Sequence, residues 1–515
     1  MTMPVANSPS ALSVSTTAKL LMLLSACLYT ISAAPLGLCS SAIAADAAEA
    51  KAAAPTLNLV PWPKSVQTAS GTMPLKVGAR IAVGDAKLLP LAEVLAQEIN
   101  QAAGVACKPE MGMAKSGDIS LDFDTKLHDE QYTLTIKSDT ALVRGGTYGA
   151  IAIGTVTLLQ AMTKTDTAVT LPNLTVTDQP QVAYRGIMLD LARQPHTIAQ
   201  IKQIVQLSRL YKIRYLQLHL SDDPAFCFPS TKYADKLKGS WKLVEVKELV
   251  KFADDRGVTI VPELDVPGHA TALVQAMPDV FGKSGNVVDA GREGTYAALD
   301  TLVGEISDVF GSSPYFHIGG DEVNKGCWNN PDTAAYMTAK KIENVEELYR
   351  HFIVRVNEIV KKHGKKTIVW EGFANKGKIE IPKDITVMAY EIVFYLPHEL
   401  VKDGYNVINA TWTPLYVVNA NCRPPEEIYA WNLFRFKKFN APAADAGLNV
   451  PPTPQVLGAQ MCAWEQPGAA ELPSLRKRLP AMSERIYSPD AGKNFKDFDA
   501  RLTVTDKLLD LILAK

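Results

Sequence analysis

Between residues 186 and 462, eight short apolar runs alternate with segments of helical periodicity, and that alternation leaves few architectures open. The runs fall at 186–191, 215–220, 258–264, 315–319, 367–371, 385–390, 406–410 and 456–462. Their length and apolar character read as buried strands. Between them lie stretches such as 198–210, 244–255, 296–310 and 345–362, whose apolar residues recur every three to four positions, as on the buried face of a helix. Repeated strand–helix units specify a parallel sheet, and eight is the number that closes a (β/α)8 barrel. Two stacked α/β domains are the competing arrangement, but no strong linker interrupts the alternation. The span suits one barrel with long loops, among them a Pro-rich one over 411–454.

Upstream, residues 56–180 mix the two periodicities. A helix is expected over 88–102, an alternating strand over 132–136 and a second helix over 149–162, which together make a small α+β domain. The polar, Pro-containing stretch 175–181 marks its end, so the barrel is assigned to 181–515. Residues 45–55 form an Ala-rich tether. Residues 1–44 read as a secretory signal: Lys19 precedes an apolar run over 20–34 that is too short to span a bilayer, and Ala42-Ile43-Ala44 fits a small-x-small cleavage pattern. The expected location is therefore secreted or periplasmic, with no integral membrane segment after processing. Leu24-Ser25-Ala26-Cys27 offers a lipoprotein alternative anchored at Cys27, although the apolar run continues beyond that cysteine. Beyond the leader remain Cys107, Cys227, Cys327, Cys422 and Cys462; no CxxC spacing suggests zinc, and Cys462 is expected in the core. Fifty-three basic against 54 acidic residues, net charge −1, argue against a nucleic-acid or anionic-membrane partner.

In a barrel, chemistry belongs at the C-terminal strand ends. There the sequence turns polar: Asp190 and Arg193 after the first run, His219, Asp222 and Asp223 after the second, Glu263, Asp265 and His269 after the third, His317, Asp321 and Glu322 after the fourth. The fifth ends in Trp370 and Glu371, the eighth in Trp464, Glu465 and Gln466. Any one of these taken alone reads first as a solvated loop charge or a satisfied core histidine. Carboxylates, an arginine, histidines and indoles on one rim describe a sugar pocket, since sugars offer hydroxyls to charged partners and a C–H face to aromatic rings. The same histidines and carboxylates allow a metal-dependent hydrolase, but HxH and HExxH spacings are missing, and no metal or cofactor is expected. Asp265 and His269 read as an orienting pair across the turn at Pro267-Gly268. The adjacent carboxylates of His317-Ile-Gly-Gly-Asp-Glu322 point to acid/base work, one held protonated and its neighbour ionised.

Tyr184-Arg-Gly-Ile-Met-Leu-Asp-Leu-Ala-Arg193, His219-Leu-Ser-Asp-Asp223, Glu263-Leu-Asp-Val-Pro-Gly-His269 and His317-Ile-Gly-Gly-Asp-Glu322 resemble, in order and spacing, the signatures of family 20 glycoside hydrolases, the exo-acting β-N-acetylhexosaminidases. The segment with Gly146-Thr-Tyr-Gly149 resembles the non-catalytic domain that precedes the barrel in that family. The resemblance implies a substrate with a terminal β-linked N-acetylhexosamine and a retaining, substrate-assisted mechanism, a named exception to the two-carboxylate glycosidase scheme. It implies Glu322 as acid/base, with Asp321 stabilising the acetamido group and Tyr416 hydrogen-bonding its oxygen. Trp370 and Trp464 would wall the pocket, and Arg193 would reach the 3- and 4-hydroxyls. Asp222, His269, Asp265 and His317 would contact or orient. Three positions depart from the family pattern: Tyr390 stands where a pocket tryptophan is usual, Val418 where an aspartate follows the acetamido tyrosine, and Gln466 where a glutamate closes Trp-x-Glu. The last two bear on the 4- and 6-hydroxyls, so an altered or 6-substituted sugar is one expectation. The other functional class is a glycan-binding barrel whose catalysis has lapsed.

Overall fold

The computed structural model describes residues 56–283, 285–418, 422–439, 445–489 and 494–514. The signal, the tether and Cys27 lie outside the described residues.

All eight expected strands are present: β1 (Tyr184–Asp190), β2 (Tyr215–His219), β3 (Thr259–Glu263), β4 (Tyr315–His317), β5 (Lys366–Trp370), β6 (Thr386–Ala389), β7 (Asn406–Asn409) and β8 (Val456–Trp464). Each pairs in parallel with the next, and β8 pairs with both β7 and β1, so the barrel closes. The helices between them are set by local chemistry. Ile198–Leu210 starts at a capping box, in which the Thr197 hydroxyl accepts from the Gln200 amide and the Gln200 side chain returns the bond to the Thr197 amide. Val345–Lys362 starts at Asn344, whose side chain accepts from the Glu347 amide; acidic residues fill its first turn and lysines its last, as the helix dipole favours.

The long loop after β7 holds an element not expected from sequence. Tyr416–Val418 is a short strand paired in parallel with the upper half of β8, Tyr416 opposite Cys462 and Val418 opposite Trp464. It carries Tyr416 from the loop onto the barrel rim. Inside the barrel, Tyr184, Met188, Ile368, Trp370, Met388, Tyr390, Tyr416 and Cys462 form a buried cluster beneath that rim.

The N-terminal unit is a mixed eight-stranded sheet running from Ser65–Pro74 at one edge to Lys108–Met111 at the other, packed by helices Leu89–Ala103 and Tyr148–Ala161. The second helix is apolar all round because 13 of its residues are buried, against both its own sheet and the barrel helix Ile198–Leu210. No disulfide links cysteines among the described residues, and no described helix is long and apolar enough to cross a membrane.

Candidate active site

Strand register puts the key side chains on one level. Asp190 is opposite His219, His219 opposite Glu263 and Glu263 opposite His317, each at its strand's C-terminal end. These four are fully buried, so their polar groups must find partners inside the protein. Glu263 is the hub: its Oε1 accepts from Trp370 Nε1 at 2.7 Å, and its Oε2 accepts from Gln217 Nε2 and meets His219 Nδ1, both at 2.8 Å. The other nitrogen of His219 meets Asp222 Oδ2 at 2.9 Å. Burial alone would lower the His219 pKa, but the Glu263 charge and these bonds outweigh it and keep the ring protonated.

The network surfaces at His269. Its Nδ1 lies 3.5 Å from Asp222 Oδ1, and its Nε2 lies 3.4 Å from Glu322 Oε2 and 3.9 Å from Asp321 Oδ2. Burial works against the imidazolium here too, yet the bonds to Asp222 and Glu322 push its pKa up to about 12. The expected Asp265–His269 pair makes no direct ion pair, but Asp265 lies close enough for its charge to support the imidazolium. Asp265 turns instead to the Gly320 amide, 3.4 Å from its Oδ1, and the left-handed His269 backbone, φ +48°, aims the ring at Asp222 and Glu322.

Gly319 and Gly320 explain how Asp321 and Glu322 are presented. Both have positive φ, +70° and +101°, and a Cβ at Gly319 would collide with the Asp265 carboxylate. The chain doubles back so tightly that Asp321 is buried while Glu322, itself at φ +47°, reaches solvent with its side chain 56% exposed. Burial raises the pKa of both Asp321 and Asp265, and Asp265 is raised further by the Asp321 charge; the hydrogen bond to His269 lowers that of Glu322. Two adjacent carboxyls thus differ in proton affinity because one is dry and the other faces an imidazolium.

Above them lies a cavity of about 170 Å³. Its polar side is made by Arg193, His269, Asp321 and Glu322, and its apolar side by Tyr390, Trp412, Tyr416, Val418 and Trp464, with Glu465 at the edge. Arg193 is clamped: Nη1 donates to Asp190 Oδ2 at 3.2 Å, Nη2 contacts Asp222 Oδ2 at 2.6 Å, and the guanidinium sits 5.0 Å over the Trp464 ring. Three buried polar atoms here, Asp321 Oδ1, Tyr390 Oη and Trp464 Nε1, meet no hydrogen-bond partner among the described residues.

Several expected sugar contacts stand back from the wall. Asp222 is spent on Arg193, His219 and His269. Trp370, 1% exposed, lies behind Tyr390 and Trp464 with its N–H committed to Glu263. His317 stays beneath the site, its ring 4.8 Å from that of Trp370 and its Nδ1 3.1 Å from Glu263 Oε1. Gln466 folds onto its own strand end, Nε2 donating to the Trp464 carbonyl at 3.2 Å, and Glu465 takes the place at the cavity edge. The left-handed φ of Glu465, +55°, and its amide bond to Asp190 fix this one-residue shift.

Sequence reasoning missed Trp412, which stacks on Tyr416 at 4.3 Å, and it gave no task to Glu371. The Glu371 carboxylate accepts the amides of Ile392, Val393, Phe394 and Tyr395 at 2.6–3.4 Å, pinning the loop that follows Tyr390. The carboxylates and imidazoles of His219, Glu263 and Asp265, and of Asp222, Asp265 and His269, are close enough to share an ion. Both nitrogens of His219 and of His269 nonetheless meet carboxylates.

Comparison with known proteins gives this arrangement its relatives. The family model described as glycosyl hydrolase family 20, catalytic domain, matches residues 182–490, and that for domain 2 of the same family matches 56–179. A beta-hexosaminidase of Porphyromonas gingivalis is 25% identical over 508 residues, covering 88% of this chain and 63% of that protein. One of Vibrio furnissii is 26% identical, covering 73% of this chain and 66% of its own length; the chain thus spans just under two thirds of these two relatives. The beta-hexosaminidase alpha subunit of Rattus norvegicus is 29% identical, with 71% and 72% covered. A GH20 exo beta-N-acetylglucosaminidase of Vibrio harveyi, solved in complex with N-acetylglucosamine, shares the fold at a TM-score of 0.75 and 24% identity, over 88% of this chain and 77% of that one.

Proposed function

Because this chain belongs to glycosyl hydrolase family 20, we propose that it is an exo-acting, retaining β-N-acetylhexosaminidase that releases terminal β-linked N-acetylhexosamine. The observation that carries the reading is the Asp321–Glu322 pair: two neighbouring carboxyls in unlike environments at the floor of a small, aromatic-walled cavity. A cavity of that size admits a chain end, which favours exo action.

The substrate supplies its own nucleophile. The unpartnered Asp321 Oδ1 accepts the acetamido N–H, and Tyr416 donates to the acetamido oxygen, turning that oxygen toward the anomeric carbon. As the C–O bond to it forms, the glycosidic C–O bond breaks and the leaving oxygen takes a proton from Glu322. The resulting oxazolinium-type cation lies beside the Asp321 carboxyl, which stabilises it in a water-poor site. Glu322, now a carboxylate, takes a proton from water as that water attacks the anomeric carbon and the amide re-forms, giving net retention.

In the free protein the proton of the Glu322–His269 pair rests on the imidazole. A bound sugar strips water from Glu322, raises its proton affinity and draws that proton across. Arg193, fixed by Asp190 and Asp222, meets sugar hydroxyls while Trp464 takes the C–H face. The N-terminal apolar run and Ala42-Ile43-Ala44 favour action outside the cytoplasm, in the medium or the periplasm.

The test compares p-nitrophenyl β-N-acetylglucosaminide with the β-glucoside that lacks the acetamido group. The acetamido sugar is expected to be cleaved and the glucoside not, with Asp321→Asn lowering kcat by about 10²- to 10³-fold. Equal cleavage of both sugars contradicts the proposal.

A further inference from the structure

The hydroxyl of Tyr390 is a polar group that the mechanism above does not use. The residue is 4% exposed, lines the cavity, and its Oη has no hydrogen-bond partner among the described residues. Burial, followed by the nearby Asp321 charge, drives its pKa far above that of a free phenol, so it remains a proton donor at every working pH. A buried hydroxyl left unpaired is costly, and one that faces a ligand site is best accounted for by the ligand.

Its position says which part of the sugar it meets. Arg193 lies over the Trp464 ring. Tyr390 lines the same cavity with its ring 5.5 Å from Trp370 and nearly parallel to Tyr416, 8° between planes and centroids 6.5 Å apart, and the Asp321 charge acts on its hydroxyl. Tyr416 and Asp321 are the groups assigned to the acylamino substituent, so Tyr390 borders the same substituent. An acetamido group has one N–H and one carbonyl, already matched by Asp321 and Tyr416, and a methyl as its third feature. A methyl against the Tyr390 hydroxyl would leave that hydroxyl unpaired.

We propose that the preferred substrate carries an N-glycolyl (hydroxyacetyl) group on the amino sugar, whose terminal hydroxyl pairs with Tyr390. This rests on the hexosaminidase reading and narrows it: the acyl hydroxyl replaces a methyl hydrogen, and the carbonyl that attacks the anomeric carbon is unchanged. Tyr390 acts here as a specificity-determining residue, because the ring that encloses the acyl group also presents the matching polar atom.

The experiment measures kcat/KM for the p-nitrophenyl β-glycosides of N-glycolylglucosamine and N-acetylglucosamine, with wild type, Tyr390→Phe and Tyr390→Trp. The affinities of the two free sugars, measured by calorimetry, give a readout that does not depend on turnover. The wild-type glycolyl-to-acetyl ratio is expected to exceed one, to fall about tenfold in Tyr390→Phe, where only the hydroxyl is lost, and to fall below one in Tyr390→Trp. A wild-type ratio below one, or a ratio unchanged in Tyr390→Phe, overturns the proposal; the second result would mean that the phenol shares the amide carbonyl with Tyr416. Cleavage of neither glycoside by wild type overturns the hexosaminidase reading itself, so the two failures are distinguishable.

Discussion

His269 joins the buried network to the cavity lined by Asp321 and Glu322. With Asp222 on one nitrogen and Glu322 on the other, its proton stays available across the neutral range, because its pKa lies near 12 in the free protein. In His269→Asn no imidazolium stands beside Glu322, so the proton must be held by a carboxyl. The basic limb of the kcat/KM–pH profile is therefore expected to move down into the carboxylate range, with activity lost at a lower pH than in wild type. An unmoved basic limb would exclude His269 as the proton holder. At this scale the sequence disclosed which residues gather but not how they pair. Two adjacent glycines before the carboxylate pair permit the tight turn at 319–320, whereas the choice between Asp265 and Asp222 as ion-pair partner of His269 depends on a left-handed backbone that spacing does not encode. The shift from Gln466 to Glu465 has the same origin, a single positive φ at the end of β8.

The eight barrel strands were legible because their apolar runs are short, bounded and separated by periodic helices. Tyr416–Val418 was not, because three residues in a Pro-rich loop carry no periodicity and its strand character comes entirely from pairing with β8. The loop after β6 shows the same dependence on tertiary partners. Its backbone amides at 392–395 converge on Glu371, a charge that a sequence reading sees only as a strand-end residue. Glu371→Gln removes the anion from four donors, and hydrogen bonds to a charged group are worth about 1.5–3 kcal/mol each at most. The variant is expected to lose about 2–3 kcal/mol in urea unfolding and to raise KM more than it lowers kcat, because Tyr390 sits at the root of that loop. Unchanged KM with a lowered midpoint would mean that the loop is structural only.

The N-terminal unit and the barrel share buried ionic contacts that bind them as one body. Arg185 on β1, fully buried, forms a two-pronged pair with Glu130 of the small domain at 2.9 Å on both prongs. Arg209 pairs likewise with Glu98 at 2.7 and 2.8 Å. Gln160 joins Val60 to the Leu210 carbonyl. Removing one partner strands a charge, which costs about 3–5 kcal/mol. Glu130→Ala is expected to lower stability by about that amount while the two domains still unfold in one transition; two separate transitions in wild type would contradict the shared body. The sequence divided the chain at a polar stretch near residue 178 but could not show this seam, since residues 130 and 185 meet only in three dimensions.

Turnover of an unactivated substrate isolates the proton that Glu322 is proposed to give the leaving oxygen. With a β-linked N-acetylglucosamine disaccharide, whose leaving oxygen needs protonation, Glu322→Gln is expected to lower kcat by about 10²- to 10⁴-fold while leaving the unfolding midpoint within experimental error of wild type. Retention of kcat within a few-fold of wild type on that disaccharide would rule out Glu322 as the proton donor.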